Sequence, residues 1–136
     1  MDENLSRRIA MLEDRAAIDD LVARYTLYAA AGMAAELAAL FAEDGVFHAH
    51  SGPVRGRAAL TEFFGQSLTP GKTVPIAGPL HLRFENGEQA RLQCLMATTF
   101  YDGRPGGFCG HYDDELVKQD GEWRFASRNY TFYHQA

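Results

Sequence analysis

A chain of 136 residues, 46% of them hydrophobic and 12% aromatic, has enough apolar surface for one core and is expected to form a single domain, 1–136. Its formal net charge of −5 and its lack of any basic run argue against nucleic acid or an anionic membrane as a partner. The opening MDENLSRRIAML has acids and arginines where a signal peptide needs an apolar centre, and no later run is long enough to span a bilayer. Two cysteines, Cys94 and Cys109, cannot build a disulfide framework, so a cytoplasmic protein with free thiols is expected.

Ile9, Leu12, Ala16, Leu21, Tyr25 and Tyr28 recur at helical spacing, which predicts one helix from about Leu5 to Ala31 with Gly32 as its stop. A shorter helix is expected over Glu36–Ala42, broken by Asp44-Gly45, then a strand over Val46–His50 and a turn at Ser51-Gly52-Pro53. Leu60, Phe63 and Phe64 give a third helix, Arg57–Leu68, its apolar side. Pro75, Gly78 and Pro79 predict irregular chain before four strands at about Leu80–Glu85, Glu88–Tyr101, Gly107–Gln119 and Glu122–His134.

The last two strands predict a long hairpin, because Asp120-Gly121 supplies the positive φ that a type I′ turn requires. With Gln119 opposite Glu122, the register sets Leu116 against Phe125, Asp114 against Ser127 and Tyr112 against Asn129. Leu116, Trp123 and Phe125 mark that face as the interior, so Asp114, Tyr112, Ser127 and Asn129 are expected inside. Arg124, Arg128 and Tyr130 fall on the other face, with Asp113 opposite Arg128. The inward set has the composition of a pocket wall.

Four stretches carry a resemblance to a known family: LEDRAAIDDLVARY at 12–25, LAALFAEDGVF at 37–47, GPVRGRAALTEFF at 52–64 and HYDDELVKQDGEWRF at 111–125. In this order they resemble the SnoaL-like branch of the nuclear transport factor 2-like superfamily. The resemblance implies an α+β, cystatin-like cone, a curved mixed sheet wrapped around three N-terminal helices, with a deep pocket on the concave side. It also implies a homodimer through the outer face of the sheet. It does not choose a function, since members include dehydratases, isomerases, polyketide cyclases, hydrolases and non-catalytic proteins.

In dehydratases of this branch a histidine early in the first long strand moves the proton, and His81 is the matching residue here. Its facing depends on the turn at Asn86-Gly87. A two-residue turn opposes His81 to Leu92 and turns it inward; a three-residue turn pairs Leu82 with Leu92 and turns it outward. The resemblance favours inward. The same dehydratases place an acid near the end of the first helix, where this chain has Ala30, and a second acid falls near Thr98. Asp114 is the replacement acid offered by the hairpin, unless it braces the helix to the sheet through Arg15, Arg24 or Tyr25.

Tyr25, Tyr28 and Tyr112 offer phenols that can polarise a carbonyl, and Asn129 adds an amide. Phe47, Phe63, Phe64, Met96 and Phe100 are expected to supply apolar wall. His48 and His50 share a face on a strand, yet nothing completes a metal set around them, so neither metal nor cofactor is expected. The expected activity is binding of a small apolar or aromatic oxygenated molecule. The expected chemistry is cofactor-free lyase, isomerase or cyclase proton transfer, with His81, Asp114 and Tyr25 as catalytic residues. The alternative is a non-catalytic ligand-binding or interaction protein.

Overall fold

The computed structural model describes residues 2–135. Helix α1 (Glu3–Ala31) is capped by Asp2, whose side chain accepts from the Leu5 amide at 2.7 Å, and ends at Gly32, left-handed at φ 71°. Its buried stripe is Ile18, Leu21, Val22, Tyr25 and Ala29. Ile9 and Leu12, the first members of the helical spacing, are exposed. The reason is reach: Asp14 already meets the hairpin end, bonding the Trp123 indole N–H at 2.9 Å and Lys118 at 3.1 Å, so earlier turns run past the sheet.

After α2 (Ala34–Ala38) the chain enters β1 (Phe41–Ala49), five residues before the expected start. Strand β2 (Gly52–Arg55) and helix α3 (Arg57–Ser67) follow, the helix burying Leu60 and Phe64. Strand β3 (Thr73–Asn86) also starts early, absorbing Gly78-Pro79 as a break in register between Ala77 and Leu80. The sheet is completed by β4 (Gln89–Phe100), β5 (Gly107–Gln119) and β6 (Glu122–Gln135). Its order is β2-β1-β6-β5-β4-β3, parallel between β1 and β6 and antiparallel elsewhere. It is an open, curved mixed sheet following and enclosing the helices, the α+β architecture expected. No helix among the described residues is long and apolar enough to cross a membrane.

The hairpin turn is type I′, with Asp120 at φ 53° and Gly121 at φ 78°. Pairing follows the expected register from Gln119 opposite Glu122 to Leu116 opposite Phe125. Then it slips: Glu115 pairs with Ser127, leaving Ala126 as the extra residue of a β-bulge. Beyond it Asp114 faces Arg128 and Tyr112 faces Tyr130. Arg128 and Tyr130 therefore turn inward, and Ser127 and Asn129 turn outward, the reverse of the simple alternation. Arg128 is wholly buried. A second irregularity, between Cys109 and Gly110, ends this reversed stretch. Both cysteines are unbridged, Cys94 buried and Cys109 exposed opposite Ala97.

Leu40, Phe64, Leu116, Trp123 and Phe125 share one core, as expected. Trp123→Ala removes the largest of these and the partner of Asp14. It should cost about 3–5 kcal/mol in urea unfolding, and a loss under about 1 kcal/mol would contradict the packing described.

Candidate functional site

A cavity of about 810 Å³ lies between the helices and the concave side of the sheet. Its walls are aromatic: Phe47 from β1, Phe63 and Phe64 from α3, Phe100 from β4, and Phe108 and Phe132 from β5 and β6. Phe47 meets Phe63 and Phe64 at ring-centroid distances of 5.8 and 5.5 Å, and Phe108 meets Phe100 and Phe132 at 5.9 and 5.3 Å. The buried end is formed by Tyr25 and Ala29, one turn apart on α1, and by Tyr112 on β5. The open end carries His50, Arg104 and half-exposed Phe132. No aspartate or glutamate among the described residues lines it.

Behind the two tyrosines sits Arg128, wholly buried. Its guanidinium carbon stands 3.6 Å from the centroid of the Tyr112 ring, 4.2 Å from Tyr25 and 4.4 Å from Phe125. Nε donates to Oδ1 of Asp114 at 2.9 Å, and Nη2 approaches the Cys94 sulfur at 3.8 Å. Asp114 Oδ2 and Arg128 Nη1 have no hydrogen-bond partner among the described residues. The carboxyl is thus held by one bond where it could accept several. Burial outweighs the arginine and raises the Asp114 pKa to about 6. Burial also works against the arginine's charge, but Asp114 and the two phenols more than offset it, so Arg128 stays charged. Both phenols are raised as well, Tyr25 by burial against the pull of Arg128, Tyr112 by burial and its neighbour Tyr25. They keep their protons and so can donate hydrogen bonds.

Of the residues expected in a pocket, Tyr25, Phe47, Phe64, Phe100 and Tyr112 line this cavity, together with Phe63 and Thr98. The others do not. His81 points outward, with Gln93 opposite it and its Nδ1 3.4 Å from the Gln93 side chain. An extra residue at Glu85 beside the Asn86–Gln89 pair sets Leu82 against Leu92, and that parity turns His81 away from the pocket. Any dyad of His81 with Asp114 is therefore ruled out, because the two lie on opposite faces of the sheet. Asp114 is closed off in its ion pair with Arg128, a brace on the neighbouring strand rather than on the helix arginines considered. Met96 is buried in the core, its carbonyl accepting from Tyr130 at 2.9 Å. Tyr28 borders a separate cleft with Arg24 and Trp123, one helical face away. Asn129 lies in an outer hollow with His48 and Ser127, put there by the Ala126 bulge.

His48 and His50 do not share a face: His48 bonds Ser127 at 3.1 Å outside, while His50 packs edge-on to Phe132 at the cavity. Ala29 rather than Ala30 reaches the cavity, and neither holds a proton. Outside, Asp113 bonds Gln93 and His111, and Glu115 approaches Arg91 at 3.6 Å, in place of the pairing with Arg128 that the simple register implied. Sequence reasoning missed Arg128, Phe108, Phe132, His50 and Arg104 as neighbours of the site. The signal for Arg128 and Phe132 was present: the large residues of β6 change parity, from Trp123 and Phe125 to Tyr130 and Phe132.

A curved sheet closed by helices over an aromatic cavity with buried phenols defines a cone-fold pocket protein. The chain belongs to the SnoaL-like domain family, whose model matches residues 10–129. Among solved structures it is similar to a nuclear transport factor 2-like protein with a cystatin-like fold from Novosphingobium aromaticivorans. That match has 26% identity and a TM-score of 0.87, and covers 100% of this chain and 94% of the other. Rv3472 from Mycobacterium tuberculosis, whose function is unknown, is 27% identical with a TM-score of 0.81 over 91% of this chain and 79% of the other. The hexachlorocyclohexane dehydrochlorinase LinA-type3 from Novosphingobium barchaimii shares the fold at 18% identity, with a TM-score of 0.81 over 93% and 91%. Among curated protein sequences none matches the chain.

Two measurements test the buried pair. Arg128→Met leaves Asp114 without a partner and should cost about 3–5 kcal/mol, whereas Arg128→Met with Asp114→Leu should recover most of that loss. For pH, the Asp114 pKa is higher folded than unfolded, so the folded chain holds its proton where the unfolded chain has released it. The contribution is complete below about pH 4 and is lost as pH rises through about 6. Wild-type stability relative to Asp114→Asn should therefore fall across that window in urea titrations.

Proposed function

We propose that the protein binds an apolar or aromatic, oxygenated small molecule in this cavity, with the Tyr25 and Tyr112 hydroxyls donating to one of its oxygens. The observation that carries the reading is the lining. An aromatic-walled space of about 810 Å³ ends in two protonated phenols, and among the described residues no carboxylate lines it. Ligand pockets of roughly 300–1,000 Å³ enclose most of a small organic molecule, and a few placed donors set its orientation. A carbonyl or an enolate-like oxygen is what two O–H donors complement. Arg128 behind the rings adds positive charge at that end, partly offset by Asp114.

The second reading is a cofactor-free lyase, isomerase or cyclase acting by proton transfer, and His50 is the observation that favours it. It brings an imidazole to the same cavity as the donor phenols, and imidazole is the side chain suited to carrying a proton near neutral pH. The dehydrochlorinase with this fold is too distant in sequence for its chemistry to carry over.

Native mass spectrometry of the purified protein should reveal a co-purifying small molecule or an empty cavity that takes up 2-acetylnaphthalene. Tyr25→Phe and Tyr112→Phe should each weaken ketone binding about tenfold, the size of one good hydrogen bond. His81→Ala should leave it unchanged. Binding that ignores both phenols and depends on His81 would overturn the reading. His50→Ala separates the two versions: retained binding with lost turnover marks an enzyme.

A further inference from the structure

The open end of the cavity carries basic side chains although the chain as a whole is acidic, and the arginine there is paired with Asp102. The sequence carries 18 acidic against 13 basic side chains, yet among the described residues the cavity lining holds no acid and includes Arg104 and His50. Arg104 sits in the connection between β4 and β5 and is fixed from two directions. Its guanidinium carbon stacks 3.8 Å from the centroid of Phe100, itself a cavity wall. Its Nε donates to Asp102 at 2.8 and 2.9 Å, and its Nη2 pairs with the same carboxylate at 2.6 Å. The backbone N–H of Arg104 also donates to Asp102, at 3.2 Å, closing a local loop around the pair.

Such a clamp orients a guanidinium without using all of it. Nη1 has no acceptor among the described residues, and the side chain is about half exposed at the cavity edge. Nε and Nη2 already hold Asp102, so the Nη1 edge of the planar group is what remains to read a second carboxylate. Nearby, His50 can donate from its ring beside Phe132. Resting on the binding function proposed above, we infer that the ligand is an organic acid: an apolar body with an oxygen at the phenol end and a carboxylate at the Arg104 end. Tyr25 and Tyr112 then set which end enters first, and Arg104 selects the anion. Asp102 acts as a positioning residue for that arginine.

The test uses a matched pair of probes, 6-acetyl-2-naphthoate and its methyl ester, titrated calorimetrically at pH 8. The acid should bind at least about tenfold tighter than the ester, and the difference should shrink in high salt, as expected for a partly exposed charge contact. Arg104→Gln should reduce the acid to within about twofold of the ester, the acid-to-ester ratio being measured within the variant itself. An ester that binds as well as the acid overturns this inference and leaves the cavity reading standing. An acid preference that survives Arg104→Gln also overturns it, since the anion is then read elsewhere. Failure of both probes to bind overturns the cavity reading and this inference with it.

Discussion

A charged arginine without access to water needs compensation from every side, and much of this structure supplies it to Arg128. Asp114 provides the opposite charge, while Tyr112, Tyr25 and Phe125 provide π faces on which a guanidinium is weakly but favourably held. Those groups come from β5, α1 and β6, so the ion pair ties the long helix and the last hairpin to one point. Desolvation of both charges makes the pair a poor source of net stability. Its effect is one of specification: the bulged register is the one that sets the buried charge opposite Asp114.

The same point organises the cavity. Tyr25 and Tyr112 present one side to Arg128 and the other to the ligand space, so the phenols are held by packing before any ligand arrives. Donors fixed in advance lose little freedom on binding, and burial keeps their protons in place. At the far end Arg104 is fixed by different means, a stacked ring and a chelating carboxylate on an exposed connection. One cationic group is thus built into the core and the other into the rim, with apolar wall between them.

Much of the fold was legible because it rests on local signals: Gly32 ends α1, Asp120-Gly121 turns the hairpin, and Leu116, Trp123 and Phe125 set its inner face. The site was legible only in part. Tyr25, Tyr112, Phe47, Phe64 and Phe100 followed from periodicity that the structure keeps. Arg128, Asn129 and His81 did not, because each lies beyond an inserted residue, Ala126 in one hairpin and Glu85 in the other. Facing is a parity, and one extra residue inverts it for everything downstream. A resemblance favoured an inward His81, but residue pairing decided the matter, and Gln93 stands opposite.

The bulge at Ala126 has a consequence for how this strand can change over generations. Between the two irregularities of β6, the residues inside and those outside are interleaved sets, Arg128 and Tyr130 against Ser127 and Asn129. A point substitution alters one member of one set. Losing the codon for Ala126 would keep Arg128 opposite Asp114 in a regular ladder, whereas an added residue between Ser127 and Arg128 would exchange the sets, sending the arginine to solvent. Drift in side-chain identity can be gradual here, but in length the strand has a residue to lose at the bulge and none to gain beyond it.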